Sequence, residues 1–88
     1  MLALDGARPN PTAAGELTVV FSLPSAGAAK LELIDVSGRR LAVREVGSLG
    51  PGRHSVNFSE GGRIPPGIYV VRLTQGGRSL TRRAAVLP

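Results

Sequence analysis

The side chains able to do acid–base or nucleophilic work are few in this 88-residue chain, and they are widely spaced. The one histidine, His54, directly precedes Ser55. A Ser-His-Asp triad needs base and nucleophile within hydrogen-bond reach and a carboxylate behind the base. Neighbours along a strand point to opposite faces, and no Gly-x-Ser-x-Gly elbow occurs. His54 is therefore expected to pack at a strand end. The six acids, Asp5, Glu16, Glu32, Asp35, Glu45 and Glu60, form no Asp-x-Asp calcium loop. The absence of cysteine excludes a disulfide scaffold, a thiolate nucleophile and any cysteine-ligated metal. A single histidine excludes a multi-histidine metal site. No glycine-rich loop opens a helix to hold phosphate. No catalytic, cofactor-binding or metal-binding residues are expected, no cofactor, and no enzymatic activity.

Ten of the 11 cations are arginine, and the formal net charge is +5 with a pI near 11.4. Such a balance permits an acidic partner. The arginines run from Arg8 to Arg83, however, and aromatics are 3% of the chain. The stacking platforms of single-strand binders and a basic helix for the major groove are both missing. Nucleic acid is not an expected partner. A spanning helix needs about 20 apolar residues in a row, and no run approaches that length, so no integral membrane segment is expected. Met1-Leu-Ala-Leu4 lacks the basic start and apolar length of a signal peptide.

The elements that position these residues read as strands, because apolar residues alternate with polar ones and no segment keeps a helical period. Leu17, Val19, Phe21 and Leu23 share a face until Pro24 ends the run. Ala29, Leu31 and Leu33 point inward, with Lys30 and Glu32 outward. Asp35-Val36-Ser37-Gly38 has the chemistry of a type I turn: aspartate caps the backbone two residues on, and glycine takes positive φ. Asp35 and Gly38 are thus structural turn residues. The next strand, Leu41–Val46, is expected to turn Leu41 and Val43 inward. His54, Val56 and Phe58 share a face of Arg53–Phe58, and Tyr69, Val71 and Leu73 share one of Ile68–Thr74. Gln75-Gly-Gly-Arg78 is a hairpin signal. Leu80, Ala84 and Val86 share a face of the last segment.

Six or seven short strands separated by such turns predict an all-β, immunoglobulin-like antiparallel sandwich of about seven strands. Its expected core is Phe21, Leu31, Leu33, Val43, Val56, Phe58, Tyr69, Val71 and Leu73. Each contributes about 1.5–3 kcal/mol on burial, most of it cancelled by chain ordering. Residues 1–7 are expected to be an N-terminal extension or linker and 8–88 the domain.

The order of the features carries a resemblance. Arg8-Pro-Asn-Pro11 is followed by Phe21-Ser-Leu-Pro24 and then by Leu31-Glu-Leu-Ile-Asp-Val-Ser-Gly-Arg-Arg40. After these come Gly52-Arg-His-Ser-Val56, Pro66-Gly-Ile-Tyr-Val-Val-Arg-Leu73 and Arg82-Arg-Ala-Ala-Val-Leu87. Across residues 8–87 this resembles the C-terminal sorting domain of type IX secretion cargo, and equally the immunoglobulin-like domain of the flagellar hook-capping protein. The hook-capping branch usually carries Trp-Asp-Gly after the fourth strand. Asn57-Phe-Ser-Glu-Gly-Gly stands here instead, which favours the sorting branch. The resemblance implies a seven-stranded sandwich at the C-terminus of an exported bacterial protein, read by an outer-membrane translocon. The expected location is then extracellular or at the cell surface, via the periplasm. The expected partners are the secretion machinery or a neighbouring surface protein, with self-association through edge strands.

Two functions follow as expectations. The first is a non-catalytic sorting or surface-anchoring module. The alternative is a structural stalk or self-assembling filament subunit, in which Met1–Leu4 adds a strand to a neighbour. For sorting, the last strand is the expected recognition element, carrying Arg82, Arg83, Val86 and Leu87. Adjacent arginines point to opposite faces, and an unpaired guanidinium is costly to bury. That strand is therefore expected at a sheet edge.

Overall fold

A computed structural model describes residues 1–13 and 15–88. Seven strands follow in chain order: β1 (Ala3–Ala7), β2 (Thr18–Leu23), β3 (Ala29–Asp35), β4 (Arg40–Glu45), β5 (Gly52–Asn57), β6 (Gly67–Gln75) and β7 (Arg78–Val86). They form a three-stranded sheet ordered β1-β2-β5 and a four-stranded sheet ordered β4-β3-β6-β7. All strand pairings are antiparallel. The chain is an all-β sandwich, joined by turns and two short 3-10 segments, Gly47–Leu49 and Phe58–Gly61. Among the described residues, no helix is long and apolar enough to cross a membrane.

The alternation in the sequence becomes the interior. Leu17, Val19, Phe21, Leu31, Leu33, Val71 and Leu73 are wholly buried between the sheets, and Phe58 and Tyr69 are nearly so. Val56 is half-buried against this cluster. The Tyr69 hydroxyl donates to the Pro65 carbonyl, so the ring is buried with its polar tip satisfied. Phe58 lies one residue past the end of β5, in the 3-10 segment that Asn57 caps by accepting from the Ser59 N–H at 2.8 Å.

Two expectations are corrected. Residues 1–7 are not an extension. Ala3–Ala7 pairs with β2 as an edge strand, and Leu2 and Leu4 are buried in the core. Two leucines spaced by two are enough to hold a short strand once a partner edge is available.

The inward face of β4 is the opposite one. Leu41 and Val43 are 41% and 44% exposed, while Ala42 packs against the core. Register decides this. Leu31 and Leu33 turn inward, and their partners on β4 are Arg44 and Ala42. The register then shifts, so that Ile34 pairs with Arg40 and Leu41 is left unopposed. Val43 lies opposite Glu32 on the outer face. The inner face of β4 continues to Val46, and the Arg44 guanidinium lies over the Phe58 ring at 5.2 Å.

Glu32 lies on the outer face of its sheet, as expected, and is covered there, being 1% exposed.

Candidate functional site

His54 packs within β5. Its Nε2–H donates to the Gly50 carbonyl at 2.7 Å, and its ring sits 5.7 Å from that of Phe21. Among the described residues, no three histidine, cysteine or acidic side chains gather as a metal site would require. The concavity beside β4 and β5, about 420 Å³, is shallow. Arg44, Glu45, Ser55 and Glu60 are among the residues lining it. The surfaces with organised chemistry are the β3–β4 turn, the outer face around Glu32, and the edge of β7.

The turn is built locally. Asp35 Oδ1 accepts from the Ser37 N–H at 3.0 Å, the Ser37 hydroxyl at 2.6 Å and the Arg39 N–H at 3.0 Å. The Gly38 N–H donates to the Asp35 carbonyl at 3.0 Å, and Gly38 takes φ of 87°, a value open to glycine at little cost. The Ser37 hydroxyl bond, then the Arg39 N–H bond, hold the Asp35 carboxyl below its ordinary value. Asp35 is thus saturated by its own turn.

Glu32 is satisfied across the sheet. Arg72 Nε donates to Oε1 at 2.8 Å and its second nitrogen to Oε2 at 3.2 Å. Arg40 donates to Oε2 at 3.1 Å. Arg72 lies directly opposite on β6, while Arg40 reaches over from β4. The fork of Arg72 matches the carboxylate plane. These bonds, Arg72 first, outweigh the opposing effect of burial and hold the Glu32 carboxyl at about 2. Sequence reading placed Glu32 outward. Its cover by two arginines, 8 and 40 residues away, is visible only in the register.

The last strand, β7, is the outer strand of the four-stranded sheet. Arg82 and Arg83 are both exposed and sit opposite Val71 and Val70, on the inner-facing and outer-facing sides respectively. Strand β1 packs along β7, so close that a Cβ at Gly6 would lie 3.3 Å from Arg82 Cβ. Ala84 and Val86 belong to the core, and Leu87 is 48% exposed. The place of β7 at a sheet edge is as expected, and that edge is partly covered. Asn10 bridges it, its amide donating to the Arg83 carbonyl at 3.1 Å and its Oδ1 accepting from the Ala85 N–H at 3.0 Å. The Thr12 N–H donates to the Ala85 carbonyl at 2.9 Å, and the Leu87 N–H to the Thr12 carbonyl at 3.0 Å. Residues 10–12 therefore act as a strap over Arg83–Leu87. No spacing rule revealed this; the one signal was Asn10 between two prolines.

No match to a curated protein sequence is found. Residues 8–86, from just before the Asn10 strap to the end of β7, match the family described as the secretion system C-terminal sorting domain. That span takes in six of the seven strands and nearly the whole sequence, and the chain belongs to the secretion system C-terminal sorting domain family.

Proposed function

We propose that the domain is a non-catalytic address. It is carried at the C-terminus of an exported bacterial protein, is recognised by a type IX outer-membrane translocon, and serves either to sort its cargo or to hold it at the cell surface. The observation that carries this reading is the family match across residues 8–86. The side chains support it: the single histidine packs against Phe21 instead of standing beside a nucleophile. The partner is the secretion machinery, and the final location is outside the cell or on its surface. Within the domain, β7 presents Arg82, Arg83 and Leu87 to that machinery. Val86 faces the core and serves the fold. The stalk or filament alternative loses its proposed donor, since the N-terminal residues are already paired with β2.

The test is a periplasm-directed reporter fused ahead of residues 1–88 in a type IX secreting host. A second fusion ends at Gly77 and so lacks β7. The expected result is surface or medium reporter for the first and periplasmic reporter for the second. Retention of both overturns the sorting reading. Export of both removes β7 as the signal.

A further inference from the structure

The two outer faces of the sandwich differ in chemistry. On the three-stranded sheet, Thr18, Val20 and Ser22 of β2 stand opposite Asn57, Ser55 and Arg53 of β5. Its charges lie at one edge, where Asp5 takes both Arg53 at 2.8 Å and Arg8 at 3.5 Å. That face is mainly polar, as an ordinary solvated sheet is.

On the four-stranded sheet, Ile34 stands opposite Val70, and Val70 opposite Arg83. Ile68 continues the row along β6 and is 47% exposed. Arg40 and Arg72 flank this strip from the β4 side and the centre. The only carboxylate among them is Glu32, and both its oxygens are already taken by those two arginines. Lys30 lies opposite Glu45 further along. Arg83 has no ion-pair partner among the described residues. The result is a row of β-branched side chains, half-buried at Ile34 and Val70 and exposed at Ile68, with the unpaired Arg83 at one end and the Arg40–Glu32–Arg72 cluster beside it.

We propose that this outer face of β3, β6 and β7 is the docking surface for a protein of the export machinery, one that presents an apolar centre bordered by Asp or Glu carboxylates. The inference rests on the sorting reading and assigns it a surface. Charge complementarity selects the occupant. Apolar centres with arginine borders suit protein interfaces, where the planar guanidinium meets carboxylates with two parallel bonds. A second copy of the chain is disfavoured, since face-to-face pairing sets the same arginines against each other. A lipid surface is disfavoured because the face has no aromatic side chain to enter the interface: Phe21, Phe58 and Tyr69 are all in the core. The Arg40–Glu32–Arg72 cluster fixes the surface. It holds two guanidinium groups flat on the sheet before a partner arrives, which lowers the ordering cost of docking.

The experiment uses the reporter fused to residues 1–88 in the secreting host, with Val70→Glu and Arg83→Glu as face variants and Val20→Glu on the opposite sheet as control. Thermal melts of the purified chains check folding. Arg83 is exposed, so its variant keeps the test open should Val70→Glu unfold. The expected result is export of the parent and the control, with each folded face variant exported roughly tenfold less, the size of one interface contact of about 1.4 kcal/mol. Parent-like export of Arg83→Glu and of any folded Val70→Glu overturns this surface and leaves the sorting reading intact. Retention of the parent overturns both. Two arms with the purified chain identify other occupants. A concentration-dependent dimer in sedimentation that Arg83→Glu abolishes assigns the face to a second copy. Flotation with phosphatidylglycerol vesicles that Arg83→Glu abolishes assigns it to anionic lipid. Either outcome overturns the proposal.

Discussion

Strand β3 carries two carboxylates three residues apart, and they are held in opposite ways. Asp35, at the strand's end, is satisfied within its own turn, by Ser37 and by the backbone of Arg39. Glu32, in the middle of the strand, is satisfied by side chains from the strands on either side. Both carboxyls titrate below their ordinary values. The hydrogen bonds that favour the charged form are local in one case and cross-strand in the other. A turn carboxylate therefore reports on one hairpin, whereas the Glu32 carboxylate reports on the alignment of β4, β3 and β6 at once.

The comparison breaks most severely at the inner face, on which both carboxylates depend. Phe58→Ala removes the ring that Arg44 covers and is expected to cost about 3–5 kcal/mol in chemical denaturation. A loss below about 1 kcal/mol would show that the sheet is held chiefly from outside.

Acid titration separates the two carboxylates next. The folded Glu32 value of about 2 lies below its ordinary 4.5. Its contribution is therefore fully present above about pH 4.5 and is lost as the pH falls toward 2. The expected loss is about 2–3 kcal/mol by linkage. Asp35 is lowered from 3.8, so its contribution is lost below that value. Glu32→Gln should flatten the stability curve between pH 4.5 and 3.8 and leave a residual fall below it. An unchanged curve in that window would mean that the arginines do not hold a charged Glu32.

Gly38→Val sharpens the local side. A Cβ at this position would meet nothing within 4 Å, so the expected loss of about 1 kcal/mol or more comes from the 87° φ alone. The melting temperature reads it, and no change would remove the turn conformation as a source of stability. The smallest effect is expected of Asp35→Asn, which keeps an oxygen acceptor for Ser37 and the Arg39 N–H and gives up the charge with the exposed Oδ2 contact to the Arg39 guanidinium at 3.3 Å. Its melting temperature should fall less than that of Asp35→Ala. Equal falls would make charge, and not acceptance, the function of Asp35.

Local chemistry was legible in the sequence wherever partners are near neighbours. The β2 face through Leu17, Val19, Phe21 and Leu23 follows from a period of two, and all four are buried. The Asp35–Gly38 turn follows from residue types within four positions, and the hairpin bonds are made there.

Other features were decided only when strands met. For β4, Leu41 and Val43 alternate with Ala42 and Arg44, so the pattern admits either face. Pairing with β3 chose the face bearing Ala42, because a one-residue shift reverses every side chain. Leu2 and Leu4 looked like the start of a linker, since a five-residue strand has no identity without an edge to join. The cover over Glu32 was hidden because its arginines stand 8 and 40 positions away. The Asn10 strap spans 73 and 75 positions to reach β7. Sequence by itself determined most of the strands and the turn, since these depend on steric and hydrogen-bonding preferences within a few residues. Tertiary structure alone decided which faces and edges remain open, because a charge or a backbone amide is satisfied by whatever the fold brings within about 3 Å of it.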